Sequence, residues 1–112
     1  MTTREPEVSE RDLEQLCSFF RLLSDKTRLN ILFRLAGGER NVTALCDEMT
    51  LPQPTVSHHL SLLRMSNIVG NRRNGKQVFY ALNGRSASNE QSVLAFNVEG
   101  FSVKVVMEDR PG

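Results

Sequence analysis

Apolar residues recur at helical spacing through the first half of the chain, in segments separated by capping and turn residues. The first segment opens at Ser9, which has an acid three residues later and can therefore cap a helix. Its apolar stripe consists of Leu13, Leu16, Cys17, Phe20 and Leu23. A second helix is predicted over about residues 26–36, and a third begins at Asn41 with apolar positions at Val42, Leu45, Cys46 and Met49.

A fourth helix is predicted over about residues 54–67, after the turn at residues 50–53. Pro54 suits its first turn, where the missing N–H has no intrahelical acceptor anyway. The apolar stripe on one face consists of Val56, Leu60 and Leu63. The polar positions between them are Thr55, Ser57, His58, Ser61 and Arg64. One face can therefore pack on a core while the other reaches base edges and phosphates.

Two β-rich segments, residues 68–69 and 78–82, flank Asn74 and Gly75, which both accept a positive φ, so a β-hairpin is predicted. Its tip is basic. The order helix, helix, helix, turn, helix, hairpin predicts a mainly α, α+β fold of the winged helix-turn-helix class. Residues 101–107 alternate with a period of two and predict an extra C-terminal strand or hairpin. We expect a tail at 1–9, a DNA-binding domain at 10–83 and a β-rich extension at 84–112.

Charge is distributed unevenly along the 112 residues, whose net charge is only +1. No Asp or Glu lies between Met49 and Asn89. The five cations of that stretch are Arg64, Arg72, Arg73, Lys76 and Arg85. A basic segment that coincides with the fourth helix and the hairpin is what binding to the phosphates of DNA requires.

Double-stranded DNA is the predicted partner. Hydroxyl, imidazole and guanidinium groups can bond to base edges and phosphates. The predicted DNA-binding residues are Gln53, Thr55, Ser57, His58, Ser61 and Arg64 of the helix and Arg72, Arg73 and Lys76 of the hairpin. Gln53 either contacts phosphate or closes the turn. His59 borders the apolar stripe, so we expect it to make a structural hydrogen bond.

Three segments, together with their order, resemble the ArsR/SmtB-type bacterial repressors. They are Leu23–Leu32, which reads L-S-D-K-T-R-L-N-I-L, Pro54–Leu63, which reads P-T-V-S-H-H-L-S-L-L, and the hairpin Asn71–Leu82. The resemblance covers about residues 13–83. It implies a homodimeric winged-helix repressor, often one whose DNA affinity falls when a metal ion binds.

The metal ligands of that family have no counterpart here. Where some members carry Cys-x-Cys, this chain has Asn41, Val42 and Thr43, and no His follows His59. His58 and His59 are adjacent, about 100° apart around a helix, so they do not chelate one ion together. We therefore predict no metal site and no cofactor, and no effector is assigned. No nucleophile with a base, phosphate loop or metal triad is present, so no enzyme is predicted.

Dimerisation is predicted through the first helix, with Leu13, Leu16 and Phe20 at the interface, and residues 101–107 add an edge strand or swap across the dimer. Two alternatives stay open. One is a winged-helix protein-interaction module without DNA readout. The other is a thiol-redox regulator that uses Cys17 and Cys46, although burial as small hydrophobes is the expectation for both. No apolar run is long enough to span a membrane, and a cytoplasmic location is expected.

Overall fold

The computed structural model describes residues 7–83, 93–98 and 100–108. The helices are α1 (Glu10–Leu23), α2 (Lys26–Ala36), α3 (Val42–Met49) and α4 (Gln53–Met65). The strands are β1 (Arg40–Asn41), β2 (Val69–Asn74), β3 (Gln77–Leu82), β4 (Val93–Val98) and β5 (Phe101–Val106). The predicted loop after the hairpin and most of the predicted N-terminal tail lie outside the described residues.

Side-chain caps fix where the first three helices begin. Ser9 and Asp12 form a reciprocal capping box, each backbone N–H donating to the other side chain at 3.0 Å. Asp25 accepts from the N–H of Arg28 at 2.9 Å, and Asn41 accepts from the N–H of Ala44 at 2.7 Å. The starts predicted for these helices are confirmed.

The helix-turn-helix consists of α3 and α4. Thr50, with φ of +53°, ends α3 in the left-handed conformation, and α4 begins at Gln53 with Pro54 in its first turn. The predicted stripe of α4 is confirmed, since Val56, Leu60 and Leu63 are fully buried. They lie in one core with Ile31, Leu32 and Leu45.

The wing is a three-stranded antiparallel sheet in the order β1-β3-β2. Its turn lies one residue later than predicted: Asn74 is paired with Gln77 across the ladder, so Gly75 and Lys76 form the two-residue loop. Gly75 alone takes a positive φ there, +66°, while Asn74 remains extended in β2. A glycine at the first loop position supplies that conformation without a Cβ clash.

The predicted C-terminal strand is confirmed and belongs to a hairpin, β4 paired with β5. Leu94 is fully buried and Phe96 nearly so, and the Phe96 ring meets the Phe19 ring edge to face at 5.5 Å. In β5, residues at alternate positions are half-buried and exposed, as the period of two predicts. The hairpin therefore packs on the same core as the helices.

Helix α1 buries Phe19, which lies outside its predicted stripe. Phe19 and Leu23 face the core, whereas Leu13 and Phe20, two of the predicted dimer contacts, are 47% and 52% exposed. The apolar residues of α1 form two neighbouring faces: positions 13, 16, 17 and 20 share one, and positions 19 and 23 turn about a quarter of the circumference away. Cys17 is exposed, so the predicted burial of its thiol is wrong for the single chain.

No helix among the described residues is both long and apolar enough to cross a membrane.

Candidate nucleic-acid interface

The polar residues of α4 lie along its outward side because the core holds the opposite stripe. Gln53, Ser57, Ser61 and Arg64 follow one another at intervals of three or four residues and form one row. His58 is exposed near the outermost line of the helix, and Thr55 is half-buried on the other side of His58. Every residue predicted on this helix thus lies off the buried stripe.

Gln53 is bonded within the helix. Its side-chain amide donates to Ser57 Oγ at 2.8 Å, one turn further along. Gln53 therefore neither closes the preceding turn nor points away from the row. The bond aligns an amide and a hydroxyl side by side, so this part of the row carries both hydrogen-bond donors and acceptors.

His59 ties α4 to the helices behind it. Arg28 Nη1 lies 3.3 Å from His59 Nδ1, and Arg28 Nε donates to the carbonyl oxygen of Leu22 at 2.6 Å. The Arg28 side chain is only 15% exposed and also lies 3.9 Å from the Asp25 carboxylate. The structural hydrogen bond predicted for His59 is confirmed, and through Arg28 it joins α4 to the end of α1 and the start of α2.

The contacts of this cluster affect the pKa of the Asp25 carboxyl. The Arg28 N–H that Asp25 accepts lowers the pKa of the Asp25 carboxyl, and the nearby Arg28 and His59 side chains act in the same direction against a smaller rise from burial. The carboxylate thereby stays ionised at the N-terminus of α2, where the helix dipole also favours a negative charge.

The wing carries two cations that point away from acids. Arg73 and Lys76 are exposed, and neither forms an ion pair with any described residue. Arg64 of α4 shares this condition. Arg34 and Arg40 both bind Glu48, with Arg34 Nη1 3.0 Å and Arg40 Nε 3.2 Å from its carboxylate oxygens. Arg11, Arg21, Lys26 and Lys104 form no ion pair with a described residue either, so unpaired cations lie on the predicted DNA-binding face but are not confined to it.

Arg72 is the exception among the predicted wing contacts. Its guanidinium makes a bidentate ion pair with Glu39, with donor–acceptor distances of 2.7 and 2.8 Å, and lies 4.8 Å above the centre of the Phe79 ring. This pair lowers the pKa of Glu39 and raises that of Arg72. The basic stretch has no acid in its sequence, yet folding brings one to it.

A groove of about 700 Å³ separates the end of α4 from the base of the wing. Ser61 and Arg64 line its helix side, and Asn71 and Asn83 line its strand side. Gly70 allows this side to close up, because a Cβ there would lie 2.6 Å from the Asn83 Oδ1 atom. The groove has a mixed polar and apolar lining, with Met65 and Val69 beside the polar side chains, and it runs from the row on α4 to the base of the wing.

Metal-binding residues are not brought together. Within the described ranges, no three His, Cys, Asp or Glu side chains form a group that could hold a metal ion. Cys17 and Cys46 are both free thiols, the first exposed and the second half-buried against the core. The residues present do not fit the metal sites of the resembling family, and no part of DNA binding is assigned to a metal.

Three helices, a turn, a polar helix with one face locked in the core, and a basic wing define a winged helix-turn-helix protein. Residues 25–70 match the family model of bacterial regulatory proteins of the arsR family. The transcriptional regulator KmtR of Mycobacterium tuberculosis is 37% identical over 89 residues, which are 77% of this chain and 68% of that protein.

The biofilm growth-associated repressor of Xylella fastidiosa is 36% identical over 93 residues, covering 80% and 82% of the two chains. Among solved structures, a homodimeric winged helix-turn-helix DNA-binding domain from Mycobacterium bovis, a possible ArsR-family regulator, matches with a TM-score of 0.62 and 33% identity. That match covers 68% of this chain and 73% of the other.

The chain belongs to the ArsR family of bacterial transcriptional regulators, and the family prediction from its three motifs is confirmed. It is a DNA-binding regulator and not an enzyme.

Proposed function

We propose that the protein is a homodimeric repressor that reads a near-palindromic operator, with α4 in the major groove and the wing on the adjacent backbone or minor groove. One observation carries the proposal. The core fully buries the apolar stripe of α4, and the row of Gln53, Ser57, Ser61 and Arg64 lies off that stripe, on the flank that leads through a groove to the base of the wing. The related Xylella protein, a repressor by name, supports the sign of regulation.

The base-reading contacts are assigned to α4. Hydroxyls and the His58 imidazole suit purine N7 or phosphate oxygens, and Arg64 suits guanine or the backbone. Arg73 and Lys76 are assigned to phosphates, because both are exposed and neither is paired with a described acid. The two α4 helices of a dimer would enter successive major grooves about one helical turn apart.

The dimer interface is assigned to the outward face of α1, with Leu13, Leu16 and Phe20 at its centre. Leu13 and Phe20 are large apolar side chains about half exposed in the single chain, a condition that burial against a second copy would relieve. Support comes from the homodimeric relative from Mycobacterium bovis. Replacing Phe20 by Glu should give a folded monomer in sedimentation, whereas Arg21→Glu on the neighbouring exposed position should leave the dimer intact.

The hairpin contribution to the dimer is tested by point substitution, because deleting the C-terminal segment would uncover the core beneath Leu94 and Phe96. Val106, on β5, is 55% exposed and is not among the described apolar side chains that pack against the core. If β5 pairs across the dimer, Val106→Glu should weaken self-association; an unchanged dimer would remove the hairpin from the interface.

DNA readout is tested with a triple variant, Thr55→Ala, Ser57→Ala and Arg64→Ala, measured by fluorescence anisotropy on DNA from upstream of the protein's own gene. We expect specificity for that DNA over scrambled duplex to be lost while the dimer persists. Lys104→Ala, which removes an exposed cation from the C-terminal hairpin, is the matched control and should bind as the wild type does. A wild-type protein that binds no duplex even at low salt would favour the protein-interaction module instead.

A further inference from the structure

We propose that Glu39 is a positioning residue that holds Arg72 flat against the wing and withholds it from phosphate, so that Arg73 and Lys76 carry the wing's contact with DNA. The inference rests on the proposed function. It assigns a role to an acid outside the basic stretch, and it removes Arg72 from the DNA-binding residues that the sequence predicts.

The position of Glu39 follows from the sheet. Glu39 immediately precedes β1, whose residues Arg40 and Asn41 pair with Tyr80 and Phe79 of β3. Because β3 is the central strand, Arg72 on the far strand β2 reaches Glu39 by crossing over β3. The Phe79 ring, on the residue directly opposite Arg72 in the ladder, supports the guanidinium on the way.

The ion pair occupies one edge of the Arg72 guanidinium, the edge formed by Nε and Nη2. Nε donates to one carboxylate oxygen of Glu39 and Nη2 to the other, the fork arrangement that a lysine cannot reproduce. Side chains alternate along a strand, so Arg73 projects from the opposite face of β2, away from this pair. Lys76 lies in the loop at the tip. The three wing cations thus have different environments.

Glu39 and a DNA phosphate compete for the Arg72 guanidinium. While the pair is intact, the Glu39 carboxylate cancels the charge of the guanidinium, so the free Nη1 offers a phosphate a hydrogen bond but no net positive charge. To neutralise a phosphate Arg72 would have to leave Glu39, and an unpaired carboxylate would then lie beside the DNA backbone. Arg73 and Lys76 face no such cost, because no described acid pairs with them. Arg72 is 55% exposed and the ion pair is a surface pair, so its effect is on where the cation points and not on the stability of the fold.

The salt dependence of DNA binding measures this directly. Each phosphate that a protein neutralises adds about 0.9 to the magnitude of the negative slope of log K against log salt concentration. A dimer carries each substitution twice, so we expect Arg73→Ala to lower that magnitude by about 1.8 and Arg72→Ala to leave it unchanged. Glu39→Gln, which keeps the side-chain shape, should free both copies of Arg72, raise the magnitude by about 1.8 and tighten binding roughly thirtyfold at about 0.15 M salt.

A double variant separates release of Arg72 from simple removal of a negative charge. If Arg72 supplies the gain, adding Arg72→Ala to Glu39→Gln abolishes it; if the gain persists, Glu39 acts only by repelling phosphate and the inference is overturned. Asp47→Asn, which neutralises another exposed acid, serves as the control and should leave the slope unchanged.

Failure of the inference and failure of the proposed function give different results. If the wild-type protein binds DNA and Arg72→Ala lowers the magnitude of the slope by about 1.8, both copies of Arg72 neutralise phosphates, which overturns the inference alone. A wild-type protein that binds no DNA at any salt concentration overturns the proposed function and the inference with it.

Discussion

Replacing Arg28 by Met should lower the free energy of unfolding more than the replacement of any exposed cation does. The variant keeps the aliphatic body of the side chain but loses the bond from Nε to the Leu22 carbonyl at 2.6 Å and the contact with His59 at 3.3 Å. Hydrogen bonds that involve a charged group contribute about 1.5–3 kcal/mol, and the second contact is longer and weaker. Allowing for the retained packing, we expect a loss of about 2–3 kcal/mol.

That loss is a large share of the roughly 5–15 kcal/mol that stabilises a typical domain. For a chain of this size it corresponds to a fall in Tm of roughly 10–20 °C. The assay is urea unfolding followed by circular dichroism at fixed protein concentration, because dimer dissociation would otherwise shift the midpoint. The control is Arg21→Met, which removes an exposed guanidinium bonded to Ser18 at 3.3 Å and should change stability by less than about 0.5 kcal/mol.

A double-mutant cycle with His59→Ala separates the two bonds of Arg28. We expect a coupling free energy of about 0.5–1.5 kcal/mol between Arg28 and His59, because they are in direct contact. Two results would contradict a stabilising link from α4 to α1 and α2 through Arg28. One is a loss of unfolding free energy in Arg28→Met no larger than that in Arg21→Met, and the other is a coupling free energy of zero within error.

Three further substitutions test separate parts of the fold by the same unfolding assay. Asp25→Ala should cost about 1 kcal/mol at neutral pH by loss of a helix cap. Since the folded pKa of Asp25 lies below its ordinary value of 3.8, this stabilisation is present above that value and disappears as the pH falls through the folded pKa; a difference that grew on acidification would contradict the reasoning. Gly75→Ala should cost about 1 kcal/mol because of its φ of +66°, and an unchanged midpoint would place the turn elsewhere. Leu94→Ala should cost about 2–5 kcal/mol if β4 belongs to the core, whereas Val106→Ala, on the exposed side of β5, should be nearly neutral.

Features with a local cause could be predicted from the sequence. Ser9 and Asn41 cap the helices they precede, and the stripe of Val56, Leu60 and Leu63 alternates with polar residues at a clear helical period. The C-terminal hairpin followed from the alternation in residues 101–107. In each case the signal lies within a few residues of the structure that it determines.

Pairs that are distant in the sequence could not be predicted in this way. Arg28 and His59 are separated by 31 residues, and Glu39 and Arg72 by 33. The charge pattern predicted a wing free of acids because no Asp or Glu lies near the wing in the sequence. Only the pairing of β1 with β3 brings Glu39 beside the wing.

The wrong prediction on α1, that the Cys17 thiol is buried, has a related cause. A helix that packs on its own core and also presents a second apolar face has one broad stripe in sequence, and spacing alone does not say which side faces inward. Phe19 faces the core and Phe20 does not, although they are neighbours. A partner copy would explain why the second face is apolar, and this is the reason for assigning the dimer interface to it.

The central claim is that α4 and the wing form a sequence-specific DNA-binding surface. Its most direct test is equilibrium binding of the wild-type protein to DNA from upstream of its own gene, measured by fluorescence anisotropy against scrambled competitor across a salt series. We expect clear preference for that DNA at physiological salt, two chains per site, and a salt slope whose magnitude falls by about 1.8 in Arg73→Ala, since each site loses two copies of Arg73. Equal binding to scrambled DNA, with an unchanged slope in Arg73→Ala, would contradict the central claim.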